Sequence, residues 1–543
     1  MTSKSLPIIG VVGAGTMGSG IALVALYAGC EVYLQDAFPQ ALEKASAYIK
    51  GFLEKKDQSD RYKKLHLVNS LDDISPAGVV IEAALEQMDL KTEIFRKLDA
   101  VCPPPAVLTT NTSTLSVTAI AASTQHPERV AGMHFFNPAP VLPLVEVVRG
   151  ARTSQETIDR LTELAQAFDK TPVVTGDTPG FIVNRVARPF YGEALRILGE
   201  GNSSHEMIDQ IVESGGGFKM GPFKLMDLIG IDINTAAMRS MYEQTYGEPR
   251  YRPHWLQVQK LAEGALGKKV GKGFYDYENG EIKDTRKWIS EVALQVGGGS
   301  GRILVSEGSW APGLSELCTE AGYVVDSIPV RDENPVACFV VAGRHEDAAR
   351  LISWYDQNLD SSIPIIAQCA DITISEMKDW VNHPQRLIGF DGLFFGTGSI
   401  VTLVNPTIPA EKFLEIEDMF MKLGRQPIYI NDGPALVLPR IICQIINEAI
   451  FLRQDELGLL ANRINTYEVS KYSDFASATD EIDIAMRLGT NYPKGPMEWA
   501  VSIGYRKVLG VLDHLYNEFR EDRYRASSLL REWARQEARS NRK

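Results

Sequence analysis

A histidine and a glutamate that lie twelve residues apart give the first indication of chemistry in this sequence. His134 lies in RVAGMHFF, and Glu146 lies in the apolar run PLVEVV. A carboxylate is costly to bury unless it is paired, and an imidazole titrates near working pH and can move a proton. We therefore predict a pair in which Glu146 orients the ring and His134 acts as a general base. The alternative is that His134 is a hydrogen-bonded histidine of the core.

Polar side chains follow three predicted parallel strands, at residues 78–84, 106–113 and 129–136. Ligands gather at the carboxyl ends of the strands in open parallel sheets, so we expect these side chains to line one crevice. The residues predicted to meet there are Glu86, Asn111, Ser113, His134 and Asn137.

A glycine-rich turn lies between a predicted strand, Ile8–Val12, and a predicted helix, Met17–Ala28. Gly13, Gly15 and Gly18 form a G-x-G-x-x-G pattern. In such a turn the first glycine permits the tight bend, the second lets the backbone approach a pyrophosphate, and the third lets helix and strand pack closely. The helix N-terminus then faces the anion. This context predicts a dinucleotide-binding site.

Asp36 ends the next predicted strand, EVYLQD, 21 residues after Gly15. A carboxylate at this distance accepts hydrogen bonds from the adenosine ribose hydroxyls. It would also repel a 2'-phosphate. The sequence therefore favours NAD over NADP as the cofactor.

Several stretches together resemble the L-3-hydroxyacyl-CoA dehydrogenase family, whose members oxidise the 3-hydroxyl of an acyl-CoA with NAD. They are GAGTMGSG, IEAALEQMDLK, NTSTLS, HFFNPAPVLPLVEVV and DTPGFIVNRV, and the resemblance runs from about Ile8 to about Gly280. It implies that His134 is the general base, that Glu146 orients it, and that Ser113 and Asn184 donate hydrogen bonds to the substrate oxygen. It also implies that Glu86 and Lys91 lie along the nicotinamide half of NAD. The predicted cofactor-binding residues are Gly13, Gly15, Thr16, Met17, Gly18, Asp36, Glu86, Lys91, Asn111, Ser113 and Asn137.

The second half of the chain repeats the first. Residues 381–394 (VNHPQRLIGFDGLF) match residues 124–137 (TQHPERVAGMHFFN) at an offset of 257, which is 383 minus 126. Residues 431–450 match residues 176–195 at an offset of 255, which is 434 minus 179. We therefore interpret residues 285–525 as a second, degenerate copy of the whole unit.

The chemical residues of the first copy have no functional equivalent in the second. Projection through the offsets pairs Ser113 with Ala370, His134 with Asp391, Glu146 with Leu403 and Asn184 with Pro439. The glycine turn is also missing, and GGGS at 297–300 is predicted to be a linker. The second copy is therefore predicted to fold without catalysing.

The predicted architecture is α/β: a Rossmann-type, doubly wound parallel sheet followed by an all-helical domain, with the unit repeated once in degenerate form. The predicted bounds are 1–183 for the NAD-binding domain, 184–282 for the helical substrate and dimerisation domain, 285–430 for the degenerate Rossmann-like domain, 431–525 for the second helical domain and 526–543 for a charged tail. This layout resembles the longer 3-hydroxybutyryl-CoA and 3-hydroxyadipyl-CoA dehydrogenases of bacterial phenylacetate breakdown. The two helical domains either pair within one chain or form a homo-oligomer. Residues 285–430 could instead bind another ligand.

Bulk properties exclude several classes of protein. The formal net charge of -13 over 543 residues disfavours nucleic acid as a partner, and the six scattered cysteines have no CxxC spacing that would indicate a metal site. No apolar run has transmembrane length, and no signal segment precedes the first strand. We expect a cytoplasmic protein without membrane insertion.

Two other functions stay open from the residues alone. A related NAD-dependent dehydrogenase could act on a non-CoA hydroxy acid or a sugar acid with the same His134 and Glu146. A non-catalytic protein could bind NAD without turnover, although the first copy keeps all four chemical residues.

Overall fold

The structure, a computed structural model, describes residues 6–283, 296–308, 310–329, 334–342, 345–404, 410–461 and 480–540. The chain divides into two compact units. The first unit comprises Met1–Arg185 with Asp455–Asn491, and the second comprises Val186–Gln454 with Tyr492–Lys543. These units cut across the five predicted domains, whose boundaries stay predictions.

Seventeen strands lie in the described part of the chain. They are β1 Ile9–Val12, β2 Val32–Gln35, β3 Leu65–Val68, β4 Val79–Glu82, β5 Val107–Thr110, β6 Val130–Phe135, β7 Leu144–Arg149, β8 Thr171–Gly176, β9 Tyr277–Glu278, β10 Glu281–Ile282, β11 Arg302–Val305, β12 Val324–Asp326, β13 Ala337–Val340, β14 Ile365–Gln368, β15 Leu387–Phe390, β16 Ile400–Val404 and β17 Gln426–Ile430.

The α-helices of the same described ranges alternate with these strands and then dominate the segments after β8 and β17. They are α1 Thr16–Ala28, α2 Pro39–Lys55, α3 Met88–Val101, α4 Val117–Ala121, α5 Gln155–Ala167, α6 Val183–Val186, α7 Arg188–Gly199, α8 His205–Gln210, α9 Pro222–Ile229, α10 Ile231–Gln244, α11 Trp255–Glu263, α12 Leu314–Glu320, α13 His345–Asn358, α14 Ile374–Met377, α15 Ala410–Lys422, α16 Leu438–Ala461, α17 Glu481–Thr490, α18 Pro496–Ile503, α19 Tyr505–Phe519 and α20 Ser528–Ser540.

The first unit contains an eight-stranded sheet in the order β3-β2-β1-β4-β5-β6-β7-β8. Its strands pair in parallel except β6 with β7, which are antiparallel. Apolar residues of α1, α2 and α5 pack on one face of the sheet, and those of α3 and α4 pack on the other. Both faces are covered, so the central strands β1, β4 and β5 consist entirely of buried residues. The predicted doubly wound sheet is confirmed.

The second unit contains a seven-stranded sheet in the order β12-β11-β13-β14-β15-β16-β17. This order repeats that of the first sheet without the edge strand β3, and β15 and β16 are again the antiparallel pair. The turn before the following helix is also repeated, because Phe181 and Leu436 both have φ of 51°. The predicted duplication is therefore confirmed at the level of the fold.

Polar contacts at helix starts are repeated as well. Asp177 accepts hydrogen bonds from the backbone N–H groups of Val117 and Thr118 at the start of α4. Asp432 accepts them in the same way at the start of α14, from Ile374 and Ser375. Such a carboxylate satisfies N–H groups that a helix terminus leaves without partners. The second copy has kept the side chains that stabilise the fold.

The projection of Glu146 onto Leu403 was wrong by one residue. Phe390 pairs with Leu403 across β15 and β16, and the Asp391 N–H donates to the Thr402 carbonyl at 2.9 Å. In the first sheet His134 lies directly opposite Glu146. The strand register therefore makes Thr402 the counterpart of Glu146, and a one-residue change of this kind exchanges the faces of a strand.

The predicted GGGS linker was also wrong. The Gly299 N–H donates to the Ala321 carbonyl at 2.8 Å, and a Cβ on Gly299 would lie 2.5 Å from the Tyr323 ring. Gly299 is therefore held in place just before β11, while Gly298 and Ser300 are exposed. Most of the predicted charged tail forms the helix α20, and Trp533 of that helix is buried against Tyr505.

The structure also bears on the cysteines and on membrane crossing. All six cysteines are free and buried. Within the described residues, no helix combines the length and the apolar character that a membrane crossing requires.

Asp391 gives a prediction for the pH dependence of stability. It is buried, and burial raises its pKa to about 7, whereas an aspartate in the unfolded chain titrates near ~3.9. Between these two pH values the folded state holds a proton that the unfolded state has lost, so stability falls as the pH rises through this window. Asp391→Asn replaces the carboxyl with an amide that does not titrate, so the variant does not lose this stability as the pH rises. We expect urea unfolding to show a stability advantage of the variant over the wild type that grows from about pH 4 to about pH 7.

Burial also raises the pKa of Asp209 to about 7. Because Asp209 is present in both the wild type and the variant, its effect on stability cancels in the comparison. A difference between wild type and variant that is the same at every pH would contradict the prediction.

Candidate active site

His134 and Glu146, which were predicted to pair, are in hydrogen-bond contact. His134 Nδ1 lies 2.7 Å from Glu146 Oε2, because the antiparallel strands β6 and β7 place the two residues opposite each other. Glu146 Oε1 accepts from the backbone N–H groups of Ile182 at 3.0 Å and Val183 at 2.9 Å. With three donors directed at the carboxylate, Nδ1 carries the ring proton and Nε2 is left with its lone pair.

Ser113 lies on the other side of the imidazole. Its Oγ is 3.0 Å from His134 Nε2, and it follows β5, the strand beside β6 in the sheet. The resulting chain of contacts runs from Ser113 through His134 to Glu146. It leaves a nitrogen base and a hydroxyl side by side at the carboxyl ends of two adjacent parallel strands.

The loop that carries Ser113 is fixed by Glu86. Glu86 Oε1 accepts from the Thr112 hydroxyl at 2.6 Å, from the Ser113 N–H at 2.9 Å and from the Thr114 N–H at 3.1 Å. Burial opposes ionisation of this carboxyl, but the Thr112 hydrogen bond and the charge of Lys91 hold the pKa of Glu86 below its usual value. Glu86 therefore stays an acceptor that orders the loop.

Lys91 is buried beneath this loop. Its ammonium lies 2.7 and 2.9 Å from the two carboxylate oxygens of Glu82 and 3.4 Å from Glu86. Glu82, which also accepts from the Thr110 hydroxyl at 2.7 Å, was missed in the sequence. The signal was available, because a glutamate within the buried strand β4 requires a cation. These pairings favour a positioning role for Lys91.

The glycine turn has the shape that a dinucleotide requires. Gly13 has φ of 99°, and a Cβ there would lie 2.7 Å from the Ala83 carbonyl oxygen. A Cβ on Gly18 would lie 1.7 Å from the Gly13 carbonyl oxygen, whereas a Cβ on Gly15 would meet nothing within 4 Å. The first and third glycines are thus needed for the turn itself. Gly15, the second glycine, leaves open space over the N-terminus of α1, where a pyrophosphate fits.

Asp36 lies beside this turn at the end of β2. Its Oδ2 accepts from the Ala14 N–H at 2.8 Å, and its Oδ1 accepts from the Phe38 N–H at 2.9 Å. The carboxylate is partly exposed and held next to the glycine turn. This arrangement suits the hydroxyls of a ribose.

The other predicted site residues lie around the same sheet edge. Asn111 follows β5, and its Oδ1 accepts from the Phe135 N–H at 2.8 Å. Asn137 is exposed just after β6, and Asn184 lies in α6, next to the Val183 N–H that binds Glu146. Thr16 and Met17 are the first residues of α1.

Two family models match this chain. The NAD binding domain of 3-hydroxyacyl-CoA dehydrogenase matches residues 8–178. The C-terminal domain of 3-hydroxyacyl-CoA dehydrogenase matches twice, at residues 180–277 and 458–543. The chain belongs to the 3-hydroxyacyl-CoA dehydrogenase family. It is an NAD-dependent dehydrogenase of 3-hydroxyacyl-CoA substrates, and its helical C-terminal domain is present in two copies.

Individual relatives cover either the whole chain or its first half. The chain is 34% identical over 535 residues to 3-hydroxyadipyl-CoA dehydrogenase of Escherichia coli, with 97% of each chain covered. It is 42% identical over 277 residues to a probable 3-hydroxybutyryl-CoA dehydrogenase of Bacillus subtilis, covering 49% of this chain and 96% of the relative. The crystal structure of 3-hydroxybutyryl-CoA dehydrogenase from E. coli is similar, with a TM-score of 0.77, 33% identity and coverage of 99% of this chain and 100% of the other.

Proposed function

We propose that the enzyme oxidises the 3-hydroxyl of a short L-3-hydroxyacyl-CoA of the 3-hydroxybutyryl or 3-hydroxyadipyl type, with its catalytic residues in the first copy. The relatives that cover the whole chain carry these two substrates in their names. The chain of contacts from Ser113 through His134 to Glu146 is the observation that supports the catalytic assignment.

In this proposal His134 removes the hydroxyl proton at Nε2. The lone pair of Nε2 is available because Glu146 holds the proton of Nδ1, and the imidazolium that forms is stabilised by the buried carboxylate. Ser113 and Asn184 donate hydrogen bonds to the substrate oxygen, as a preorganised set that does not compete for the proton. Bound NAD would supply the acceptor for the hydride that leaves C3.

The turn formed by Gly13, Gly15 and Gly18 would hold the pyrophosphate of NAD, and Asp36 would hold the adenosine ribose. Thr16, Met17, Asn111 and Asn137 complete the proposed cofactor contacts, with Glu86 and Lys91 ordering the loop near the nicotinamide end. The burial of Lys91 supports an indirect contribution.

The substrate assignment is tested by a panel of thioesters and free acids. Acetoacetyl-CoA and free acetoacetate are compared as oxidants of NADH, with turnover followed at the NADH absorbance band. Dependence on the CoA moiety supports the proposal, whereas equal rates with the free acid would favour a dehydrogenase of hydroxy acids. A second pair, 3-hydroxybutyryl-CoA and 3-hydroxyadipyl-CoA, then distinguishes the two substrate types.

Asp36 gives a prediction about cofactor choice. Asp36→Ser removes two ribose hydrogen-bond acceptors and the negative charge that would repel a 2'-phosphate. We expect KM for NAD to rise about tenfold and the preference for NAD over NADP to fall by a larger factor, with little change in kcat at saturating NAD. Initial rates with each cofactor measure this, with Asp60→Ser on the exposed end of the same domain as control. An unchanged cofactor preference would remove Asp36 from the ribose site.

We also propose that the two helical segments pair within one chain. Arg440 on α16 contacts Glu193 on α7 at 3.0 Å, and the Tyr251 hydroxyl donates to Glu448 at 2.6 Å. Both contacts lie inside the second unit and join residues from the two copies. They are buried, so they support a permanent association of the two helical segments.

This pairing predicts the oligomeric state. A chain that satisfies its helical pairing internally needs no second chain for it, so we expect a monomer near 60.0 kDa. Sedimentation equilibrium over a range of protein concentrations measures the mass. A dimer that persists at the lowest concentration would contradict the prediction, because it would show that chains associate through an interface other than the intrachain contacts.

A further inference from the structure

A polar cavity of about 810 Å³ opens in the second unit at the carboxyl ends of β11, β12 and β13. The order of strands in the two sheets makes these three strands the counterparts of β1, β2 and β4. The cavity thus lies in the second copy where the glycine turn and Asp36 lie in the first. Its lining includes Ser306, Gly308, Ser327, Arg350, Arg506 and Lys507.

The turn at this cavity is not built for a dinucleotide. A Cβ on Gly308 would lie 2.0 Å from the Val341 carbonyl oxygen, so Gly308 occupies the place of Gly13. Two residues further on, where Gly15 leaves open space, the second copy has Trp310. Trp310 is 4% exposed, and its ring lies 3.5 Å from the position of a Cβ on Gly510. A large buried side chain therefore stands at this position, where the first copy has a glycine and open space.

An apolar cavity of about 550 Å³ lies beyond the end of β15. Leu393 and Phe394, which line it, follow Asp391 by two and three residues, and Asp391 is the counterpart of His134. The cavity therefore lies at the position that corresponds to the reacting end of the first copy. Other lining residues are Gly216, Lys494, Trp499 and Ile503.

The two cavities adjoin. Ser502, Ile503 and Lys507 line both of them. Together they form one elongated site that is apolar at one end and charged at the other. A site of this form suits a ligand with a linear acyl chain and a polar head.

The charges at the polar end suit phosphates. Arg350, Arg506 and Lys507 line the polar cavity together with Glu307, Asp347 and Glu537. Asp347 lies 3.3 Å from Arg350 and Glu537 accepts from the Arg506 N–H at 2.9 Å, so a phosphate would compete with Asp347 for the Arg350 guanidinium. The arginine side chains offer the donor geometry that phosphate groups require.

We propose that the second copy binds an acyl-CoA without turning it over, with the acyl chain in the apolar cavity and the phosphate-bearing head in the polar cavity. The site has no nitrogen base in the place of His134, because Ala370, Asp391 and Thr402 replace Ser113, His134 and Glu146. The second copy is then a binding site that can retain substrate or product beside a working enzyme. This inference does not depend on which acyl-CoA the first copy oxidises.

The test is a titration of the full chain with hexanoyl-CoA, which has no 3-hydroxyl and is not oxidised. Isothermal titration calorimetry should find about two molecules bound per chain, in two classes of affinity, and about one molecule of NADH. Arg350→Glu should weaken one class of hexanoyl-CoA binding about tenfold while leaving the other class and kcat unchanged. Arg350 is largely exposed, so the variant should fold. Lys494→Glu provides a second change, at the apolar end.

Lys412→Glu is the matched control, because Lys412 is a partly exposed lysine of the same unit that pairs with Glu415 and lines neither cavity. A single molecule of hexanoyl-CoA per wild-type chain would overturn the proposal. So would a second class of binding that neither Arg350→Glu nor Lys494→Glu weakens. If a second molecule of NADH binds per chain and hexanoyl-CoA displaces it, the site binds a dinucleotide instead. Binding of free CoA as tight as that of hexanoyl-CoA would remove the acyl chain from the apolar cavity.

Discussion

Replacing His134 with alanine will lower kcat about 10³-fold while NADH still binds, because the variant loses the proposed general base and keeps the glycine turn. The imidazole is the group that Glu146 and Ser113 hold between them, and its Nε2 carries the available lone pair. Turnover with 3-hydroxybutyryl-CoA is followed at the NADH absorbance band, and NADH binding is followed by fluorescence. A kcat close to that of the wild type would remove His134 from the mechanism.

The chain contains its own control for this experiment. Asp391 occupies in the second sheet the position that His134 occupies in the first, and it is equally buried. Asp391→Ala should leave kcat per folded molecule unchanged, because only the first copy has a nitrogen base at this position. Loss of activity in both variants would mean that the two halves act together in catalysis.

Replacing Arg440 with alanine will lower the free energy of unfolding by about 3–5 kcal/mol, the cost of removing one partner from a buried ion pair. Arg440 has no solvent exposure and contacts Glu193 at 3.0 Å, Glu200 at 2.6 Å and the Tyr524 hydroxyl at 2.7 Å. Burial alone would raise the pKa of Glu193, but the charges of Arg523 and Arg440 hold it below its usual value. Without Arg440, only part of the cost of burying the Glu193 carboxylate is offset.

Chemical denaturation of wild type and variant measures the change. Arg531→Ala is the matched control, because Arg531 pairs with Asp513 at 2.6 Å while both side chains are about two-fifths exposed, and an exposed pair contributes ~0–1 kcal/mol. Equal losses in the two variants would show that burial of the Arg440 cluster adds nothing. Because the cluster joins the two copies, the larger loss should be accompanied by a less cooperative unfolding transition.

The cofactor turn could be predicted from the sequence because its determinants are local. Gly13, Gly15 and Gly18 act through backbone conformation and the absence of a Cβ, so their spacing between a strand and a helix is sufficient. Asp36 follows from the length of one strand-helix-strand unit. The pairing of His134 with Glu146 was predictable for a different reason, since a glutamate in an apolar strand requires a partner.

Positions that depend on strand register were harder. A constant sequence offset matched the second copy to the first along β14 and β15. Between β15 and β16 the offset changes by one residue. The constant offset therefore paired Glu146 with Leu403, whereas the strand register pairs it with Thr402. Glu82, within a buried strand, indicated that a cation must lie nearby, but only packing identified that cation as Lys91 of the next helix.

The sequence by itself indicated that the fold is duplicated, that the first copy has a glycine turn suited to a dinucleotide, and that His134 pairs with Glu146. These depend on residue types and short spacings along the chain. Only the tertiary structure decided which residues lie opposite one another, that Arg440 and Glu193 join the two copies, and that two adjoining cavities persist in the second copy. The physical reason is that burial and contact between distant segments are set by packing, which side chains far apart in the chain determine together.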